Sequence, residues 1–115
     1  MREPSKDKGR LQHMLEMGNL LRERKDNYSL ESIKEDRVLF FGISKIVEII
    51  GEAAYMITKE YKNCHTELPW KQIEGMRHIL VHGYFSIRPE ILWDVIENDI
   101  PTLISSIEKL IEEYE

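Results

Sequence analysis

Residues 30–62 carry the apolar pattern that most restricts the possible folds of this chain. Apolar side chains recur there every three or four residues, which is the spacing of one face of an α-helix. This main stripe consists of Leu39, Ile43, Ile46, Ile50, Ala53, Ile57 and Tyr61. A second set recurs every seven residues on another side and consists of Phe40, Val47 and Ala54. The segment is therefore predicted to be one long helix that is covered on two sides.

A helix that is apolar on two sides leaves two arrangements open. One side can face the domain's own core while the other contacts a second copy of the chain, which predicts a homodimer. Alternatively, a small bundle buries its central helix entirely within one chain. With 115 residues, the chain is long enough to form a real core, and a partner subunit would add buried surface.

The segment before residue 30 predicts a first helix and then a break. One face of this helix carries Leu11, Met14, Leu15, Gly18 and Leu21. Residues 26–29 interrupt it, and either Ser29 or Ser32 can cap the helix that follows, because a hydroxyl oxygen accepts a hydrogen bond from a free backbone N–H.

Three more helices are predicted after residue 62. A loop precedes a third helix, which opens at Pro69 because proline suits a first helical turn. It ends near Gly83, since glycine favours the C-terminal cap. Pro89 opens a fourth helix, and Asp99 and Pro101 separate it from a fifth. The sequence shows no alternating strand pattern.

Five helices joined by short loops indicate an all-α, up-and-down bundle, with residues 1–115 as a single domain. The net charge of −5, from 16 basic and 21 acidic residues, excludes a general nucleic-acid coat. Residues 1–25 nevertheless carry seven Lys/Arg against four Asp/Glu, whereas residues 90–115 carry one Lys against eight Asp/Glu. A locally basic surface is therefore compatible with an acidic protein.

The number of cysteines and the hydropathy of the chain predict its cellular location. A single cysteine, Cys64, excludes an intrachain disulfide and suits a reducing cytosol. No apolar run approaches the roughly 20 residues of a membrane span, and the N-terminus lacks a signal-peptide pattern. We expect a soluble cytoplasmic protein with no membrane partner.

Four side chains that can bind phosphate, exchange protons or stack on a base lie close together in sequence at the predicted end of the third helix. They are Arg77, His78, His82 and Tyr84. A guanidinium can bind a phosphate through two parallel hydrogen bonds, and an imidazole that titrates near neutrality suits general acid–base catalysis. A tyrosine can stack on a base. These groups fit cleavage of RNA by its own 2′-hydroxyl, which needs no metal.

Other interpretations of the same residues stay open. An arginine followed five residues later by a histidine occurs often by chance, and a histidine at a helix end is commonly only a favourable cap. His78 and His82 could form half of a zinc site, but no acidic residue lies between them and no third ligand follows. We therefore expect neither a metal nor a cofactor. Glu52, in the long apolar helix, is expected to pair with Arg77, since a carboxylate there needs a partner.

The spacing Arg77-x4-His82-x-Tyr84 resembles the signature of the HepT toxin family, within the HEPN superfamily of helical ribonucleases. The surrounding sequence is also similar, over about residues 10–112. Its matching features are the run Ile49-Ile50-Gly51-Glu52-Ala53-Ala54, Trp70, Gly75-Met76, Tyr84-Phe85, Trp93 and Ile100-Pro101. The family often has asparagine where this chain has His78.

The resemblance implies a homodimer that cleaves RNA, either mRNA or tRNA, without a metal in a cleft shared by two motifs. Arg77 would stabilise the scissile phosphate, and His82 would act as general base or acid. The second proton transfer would fall to His82 of the partner subunit or to His78, which with Tyr84 would also bind substrate. The implied partner is an MNT-type nucleotidyltransferase antitoxin, which adds AMP to Tyr84 and so blocks RNA entry.

A second function stays open beside the nuclease. The chain could be a non-catalytic HEPN module that binds nucleotides or acts as a scaffold for a nucleotidyltransferase. The acidic net charge favours this alternative.

Overall fold

The computed structural model describes residues 4–78 and 88–114, and within these ranges the chain is helical with no β-strand. The α-helices are α1 (Asp7–Glu23), α2 (Leu30–Glu35), α3 (Arg37–Met56), α4 (Lys59–Cys64), α5 (Trp70–Gly75), α6 (Pro89–Asp94) and α7 (Ile100–Tyr114). Short 3₁₀ turns occupy Pro4–Lys6, Lys25–Asn27 and Met76–His78, and a π-helical turn spans Val95–Asp99. The predicted all-α class is confirmed, although there are more and shorter helices than the five predicted.

The core forms where α1 packs against both α3 and α7. Each of these helices contributes fully buried aliphatic side chains, such as Leu11 from α1, Val47 from α3 and Ile107 from α7. The predicted first helix and the break after it are confirmed. Ser29 caps α2, and its hydroxyl accepts a hydrogen bond from the Ser32 amide at 3.2 Å. No helix in the described ranges combines the length and the apolar character that a bilayer crossing requires.

The prediction of one helix over residues 30–62 is wrong, because the chain forms α2, α3 and α4 there. The two breaks lie at capping residues. The Asp36 carboxylate accepts hydrogen bonds from the amides of Val38 and Leu39, at 3.0 and 3.1 Å, and starts α3. The Thr58 hydroxyl accepts from the Tyr61 amide and starts α4. Side chains that satisfy the backbone in this way compete with helix continuation.

Thr58 is also held by a partner far away in sequence. The carboxylate of Asp7, in the first turn of α1, accepts from the Thr58 amide at 3.0 Å and from the Thr58 hydroxyl at 2.7 Å. Asp7 is only 2% exposed. A buried carboxylate needs such donors, so this contact fixes the junction between α3 and α4 against α1.

Both apolar sides of α3 are covered within a single chain. Ile43 and Ile50, from the main stripe, and Phe40, Val47 and Ala54, from the second set, are all buried. The bundle itself thus covers most of both apolar sets, while Leu39 and Ile46 of the main stripe are only partly buried. The predicted homodimer does not follow from this helix and needs other support.

The later helices also differ from their predictions. The third helix was predicted to reach Gly83, which lies outside the described residues, but α5 ends at Gly75 and a 3₁₀ turn follows. The predicted break at Asp99 and Pro101 is a π-helical turn that connects α6 to α7, with the Ile100 amide bonded to the Val95 carbonyl. Proline lacks an amide donor and crowds the preceding turn, and a widened turn relieves that conflict.

Gly51 allows the Met76–His78 turn to lie directly against α3. A Cβ atom at Gly51 would clash with the backbone nitrogen of Arg77 and would lie 2.8 Å from the carbonyl carbon of Met76 and 3.0 Å from the Ile73 oxygen. Backbone atoms cannot move away as a flexible side chain can. The absence of a side chain at this position is therefore required for the approach of the two segments.

Gly51→Ala is expected to lower the free energy of unfolding by about 1–3 kcal/mol or more, because the added methyl group overpacks a backbone contact. Gly42→Ala, on the same helix, is the matched control, since no atom lies within 4 Å of a Cβ there. Removing a helical glycine at that site should stabilise the protein by about 0.5–1 kcal/mol. Urea denaturation of both variants measures the difference, and equal stabilities would contradict the close-approach account.

Candidate active site

Arg77 and His78 lie in the 3₁₀ turn that ends the α5 segment, and this turn packs against α3. Both residues are partly buried. His78 lies beyond the end of α5. His82 and Tyr84 themselves lie outside the described residues.

The Arg77 guanidinium is fixed by two neighbours. Its central carbon lies 3.5 Å from the centroid of the Tyr55 ring, which is a cation–π contact at close range. Its Nε donates a hydrogen bond of 3.1 Å to Nε2 of His78. These contacts use the face of the guanidinium and one edge donor, and Nη1 and Nη2 carry the other donors. Nη1 and Nη2 can therefore each donate a hydrogen bond to a different oxygen of one phosphate group.

The hydrogen bond from Arg77 engages one ring nitrogen of His78. Nε2 of the imidazole accepts the Nε–H of the guanidinium at 3.1 Å. Nε2 of His78 is then engaged in holding the guanidinium. His78 is thereby brought to the predicted site as a direct partner of Arg77.

Glu52 does not provide the partner that the sequence suggested for Arg77. It lies on the exposed side of α3, and the described contacts of the guanidinium are with Tyr55 and His78. The pairing of Glu52 with Arg77 is therefore replaced by a stack on an aromatic ring.

Tyr55 is the site residue that the sequence analysis missed. It follows Gly51 by four residues and so lies on the same side of α3, one turn further along. Since Gly51 is the point of closest approach to the Arg77 backbone, its position is the sequence signal that could have identified Tyr55. In a helix pattern, however, an aromatic side chain is ordinarily assigned to the core.

A partly buried ion pair, Lys62–Glu74, contacts the backbone and the ring of Tyr55. Lys62, which is 8% exposed, donates from Nζ to the Glu74 carboxylate at 2.6 Å and to the Tyr55 carbonyl at 3.3 Å. The same Nζ lies 6.0 Å from the centroid of the Tyr55 ring. Lys62 is in α4 and Glu74 in α5, so the pair joins both helices to the end of α3.

A surface groove of about 300 Å³ borders this site. Its walls are Gln72, Gly75, Met76, His78, Val95 and Asp99. Burial, and to a lesser extent the nearby Asp94 carboxylate, raises the pKa of Asp99 above its ordinary value of 3.8. The groove thus combines an imidazole, an amide and a carboxyl group beside Arg77.

A metal site is not found in the part of the chain that the structure describes. Among residues 4–78 and 88–114, no three His, Cys, Asp or Glu side chains are placed to hold a metal ion. Cys64 is an exposed free thiol at the end of α4.

Comparisons with known proteins identify relatives along most of the chain. A family model described as "Ribonuclease HepT-like" matches residues 14–110. A protein of Caldanaerobacter subterraneus subsp. tengcongensis named "Putative RNase" is 36% identical, over 89% of this chain and 91% of its own length. A protein of Thermococcus cleftensis named "Probable ribonuclease HepT" is 34% identical, over 87% of this chain and 91% of its own. No solved structure gave a significant match.

The matched region extends from α1 to α7 and includes Gly51, Tyr55 and the turn with Arg77 and His78. The resemblance inferred from the Arg77-x4-His82-x-Tyr84 spacing is thus supported by a match over nearly the whole domain. We conclude that this chain belongs to the ribonuclease HepT-like family.

Proposed function

We propose that this protein is a metal-independent endoribonuclease in which Arg77 and His82 carry out the cleavage. The observation that carries the proposal is the fixed guanidinium of Arg77, stacked on Tyr55 and bonded to His78. A cation held before the substrate binds can stabilise the charge that develops on a phosphate in the transition state. The membership of the chain in a family of ribonucleases supports RNA as the substrate.

The proposed reaction is attack by the RNA's own 2′-hydroxyl on the neighbouring phosphorus. A general base removes the proton of the 2′-hydroxyl, the new oxygen–phosphorus bond forms, and the bond to the 5′-oxygen breaks. A general acid gives that oxygen a proton, which leaves a 2′,3′-cyclic phosphate. Arg77 neutralises the equatorial oxygens throughout. Atoms and charge balance without any metal.

Two proton transfers need two groups, and His82 supplies one of them. The second role falls to His82 of the partner subunit or to His78. The hydrogen bond that His78 accepts from Arg77 favours the partner's His82, because His78 would have to give up the guanidinium to exchange a proton at Nε2. In this proposal His78 and Tyr84 contact the bound RNA.

We further propose that the protein is the toxin of a toxin–antitoxin pair. The family resemblance supports an MNT-type nucleotidyltransferase as the antitoxin, with Tyr84 as the acceptor of AMP. An AMP adduct at the edge of the cleft would add negative charge and bulk where RNA enters, so it would repel the substrate.

A non-catalytic role is the second candidate. The net charge of −5 favours a nucleotide-binding or scaffold subunit of a nucleotidyltransferase over an RNA-binding enzyme. In that case Arg77 would bind a nucleotide phosphate without cleaving it, and the purified protein would leave total RNA and transfer RNA intact.

Purified wild-type protein is expected to cleave RNA in the presence of EDTA. His82→Ala should lower the cleavage rate by about 10²–10⁴-fold, since that is the usual contribution of a general acid or base. His13→Ala is the matched control, because His13 is exposed on α1 and far from the motif in sequence. Gel analysis of cleavage and circular dichroism of the fold provide the readouts. Intact RNA with wild-type protein would favour the binding-module alternative.

Co-expression with an MNT-type nucleotidyltransferase is expected to add AMP-sized mass to the wild-type protein. Tyr84→Phe should abolish the addition because it removes the accepting hydroxyl. Tyr114→Phe is the control, since Tyr114 is 40% exposed and also offers a phenol. Intact-protein mass spectrometry measures the adducts, and adducts that persist in Tyr84→Phe would exclude Tyr84 as the acceptor.

The proposed shared cleft requires a dimer at working concentration. Light scattering at micromolar protein is expected to give twice the monomer mass of 13.7 kDa. A monomer mass over the whole concentration range would refute the shared cleft.

A further inference from the structure

We propose that Tyr55 is a positioning residue that holds the Arg77 guanidinium in place for phosphate binding. This inference rests on the proposed ribonuclease function and names a residue of the same site. Tyr55 itself is not proposed to touch the RNA. Its effect on cleavage would pass entirely through Arg77.

The geometry of the contact explains why a ring suits this task. The guanidinium carbon lies 3.5 Å from the ring centroid, within the range of a face-to-face stack. A stack occupies the face of a planar guanidinium but leaves its edges, which carry the N–H donors, directed outward. The bond from Nε to His78 then fixes rotation within the plane. Together the two contacts determine both the plane and the direction of the remaining donors.

Tyr55 can hold Arg77 only because Tyr55 is itself held. Its backbone is in the last turn of α3, where its carbonyl accepts a hydrogen bond from Lys62. Lys62 also donates a hydrogen bond to Glu74, which lies in α5. The turn that carries Arg77 directly follows α5. The turn that carries Arg77 is thus connected to Tyr55 through the partly buried Lys62–Glu74 pair as well as through the ring.

An arginine side chain that is ordered in advance loses less conformational freedom when the phosphate binds. The benefit is greatest in the transition state, where the charge to be stabilised is largest. Losing the ring should therefore lower kcat more than it raises KM. We expect a fall of about 10–100-fold in kcat/KM, as displacements of about 1 Å at a catalytic group can cost about 100-fold.

The test is a double-mutant cycle on cleavage in EDTA, with Tyr55→Leu, Arg77→Ala and the double variant. If Tyr55 acts through Arg77, Tyr55→Leu lowers kcat in the wild-type background but changes nothing in the Arg77→Ala background. Tyr55→Phe keeps the ring face on which the guanidinium stacks and should lower kcat less than Tyr55→Leu does. Tyr55→Met, with a flexible side chain, is prepared in parallel in case the leucine variant loses its helical circular dichroism.

Phe41→Leu is the matched control. Phe41 is also in α3 and its ring also contacts an arginine, with the Arg37 guanidinium carbon 5.1 Å from the centroid. This pair belongs to the other end of the helix, so its loss should leave kcat and KM unchanged.

The outcomes separate this inference from the proposed function. An inert wild-type protein overturns both. An active wild type whose Tyr55→Leu variant, folded by circular dichroism, cleaves at the same rate overturns only the positioning role. Equal losses from Tyr55→Leu in the wild-type and Arg77→Ala backgrounds, or a loss matched by Phe41→Leu, would also overturn it, since the effect would then be a general one on stability.

Discussion

The backbone contact between Gly51 of α3 and the turn that carries Arg77 determines the arrangement of the site. Without a Cβ at Gly51, α3 and the Met76–His78 turn approach to a distance that no other residue would permit. This approach sets the Arg77 side chain above Tyr55, one helical turn from Gly51. The Lys62–Glu74 ion pair then connects the helices on either side. The close backbone approach at Gly51 thus places Arg77 where it can contact Tyr55 and His78.

The helical character of the chain could be predicted from its sequence, whereas the helix boundaries could not. The apolar stripe starts only after Asp36 and continues through Thr58, so its periodicity does not reveal that each of these residues separates two helices. Whether such a residue caps a helix depends on tertiary contacts. Thr58 is held by Asp7, on a different helix, and no local pattern contains that information. Pro101 is a similar case, because the π-helical turn accommodates it without a break.

The candidate site was predictable in its residue types but not in its contacts. Arg77 and His78 stand out because polar side chains of this kind are unexpected at the end of an apolar helix. From its charge, Glu52 was expected to be the partner of Arg77 on α3, whereas the structure has Tyr55 against the guanidinium. The side of α3 on which each residue lies explains why Tyr55, and not Glu52, contacts Arg77. Residues four apart share a face and adjacent residues lie about 100° apart, so Tyr55 is aligned with Gly51 and Glu52 is not.

The structure changes the reason for expecting a second subunit. A two-sided apolar helix suggested that folding itself requires a partner, but Phe40 and Val47 are buried within one chain. In the proposed mechanism the requirement is chemical instead. Cleavage needs a base and an acid, and each chain contributes one His82 to the reaction. The other nearby imidazole, His78, uses Nε2 to hold Arg77. In the proposed mechanism a second chain would therefore complete the proton transfers, so oligomerisation would be a condition for activity.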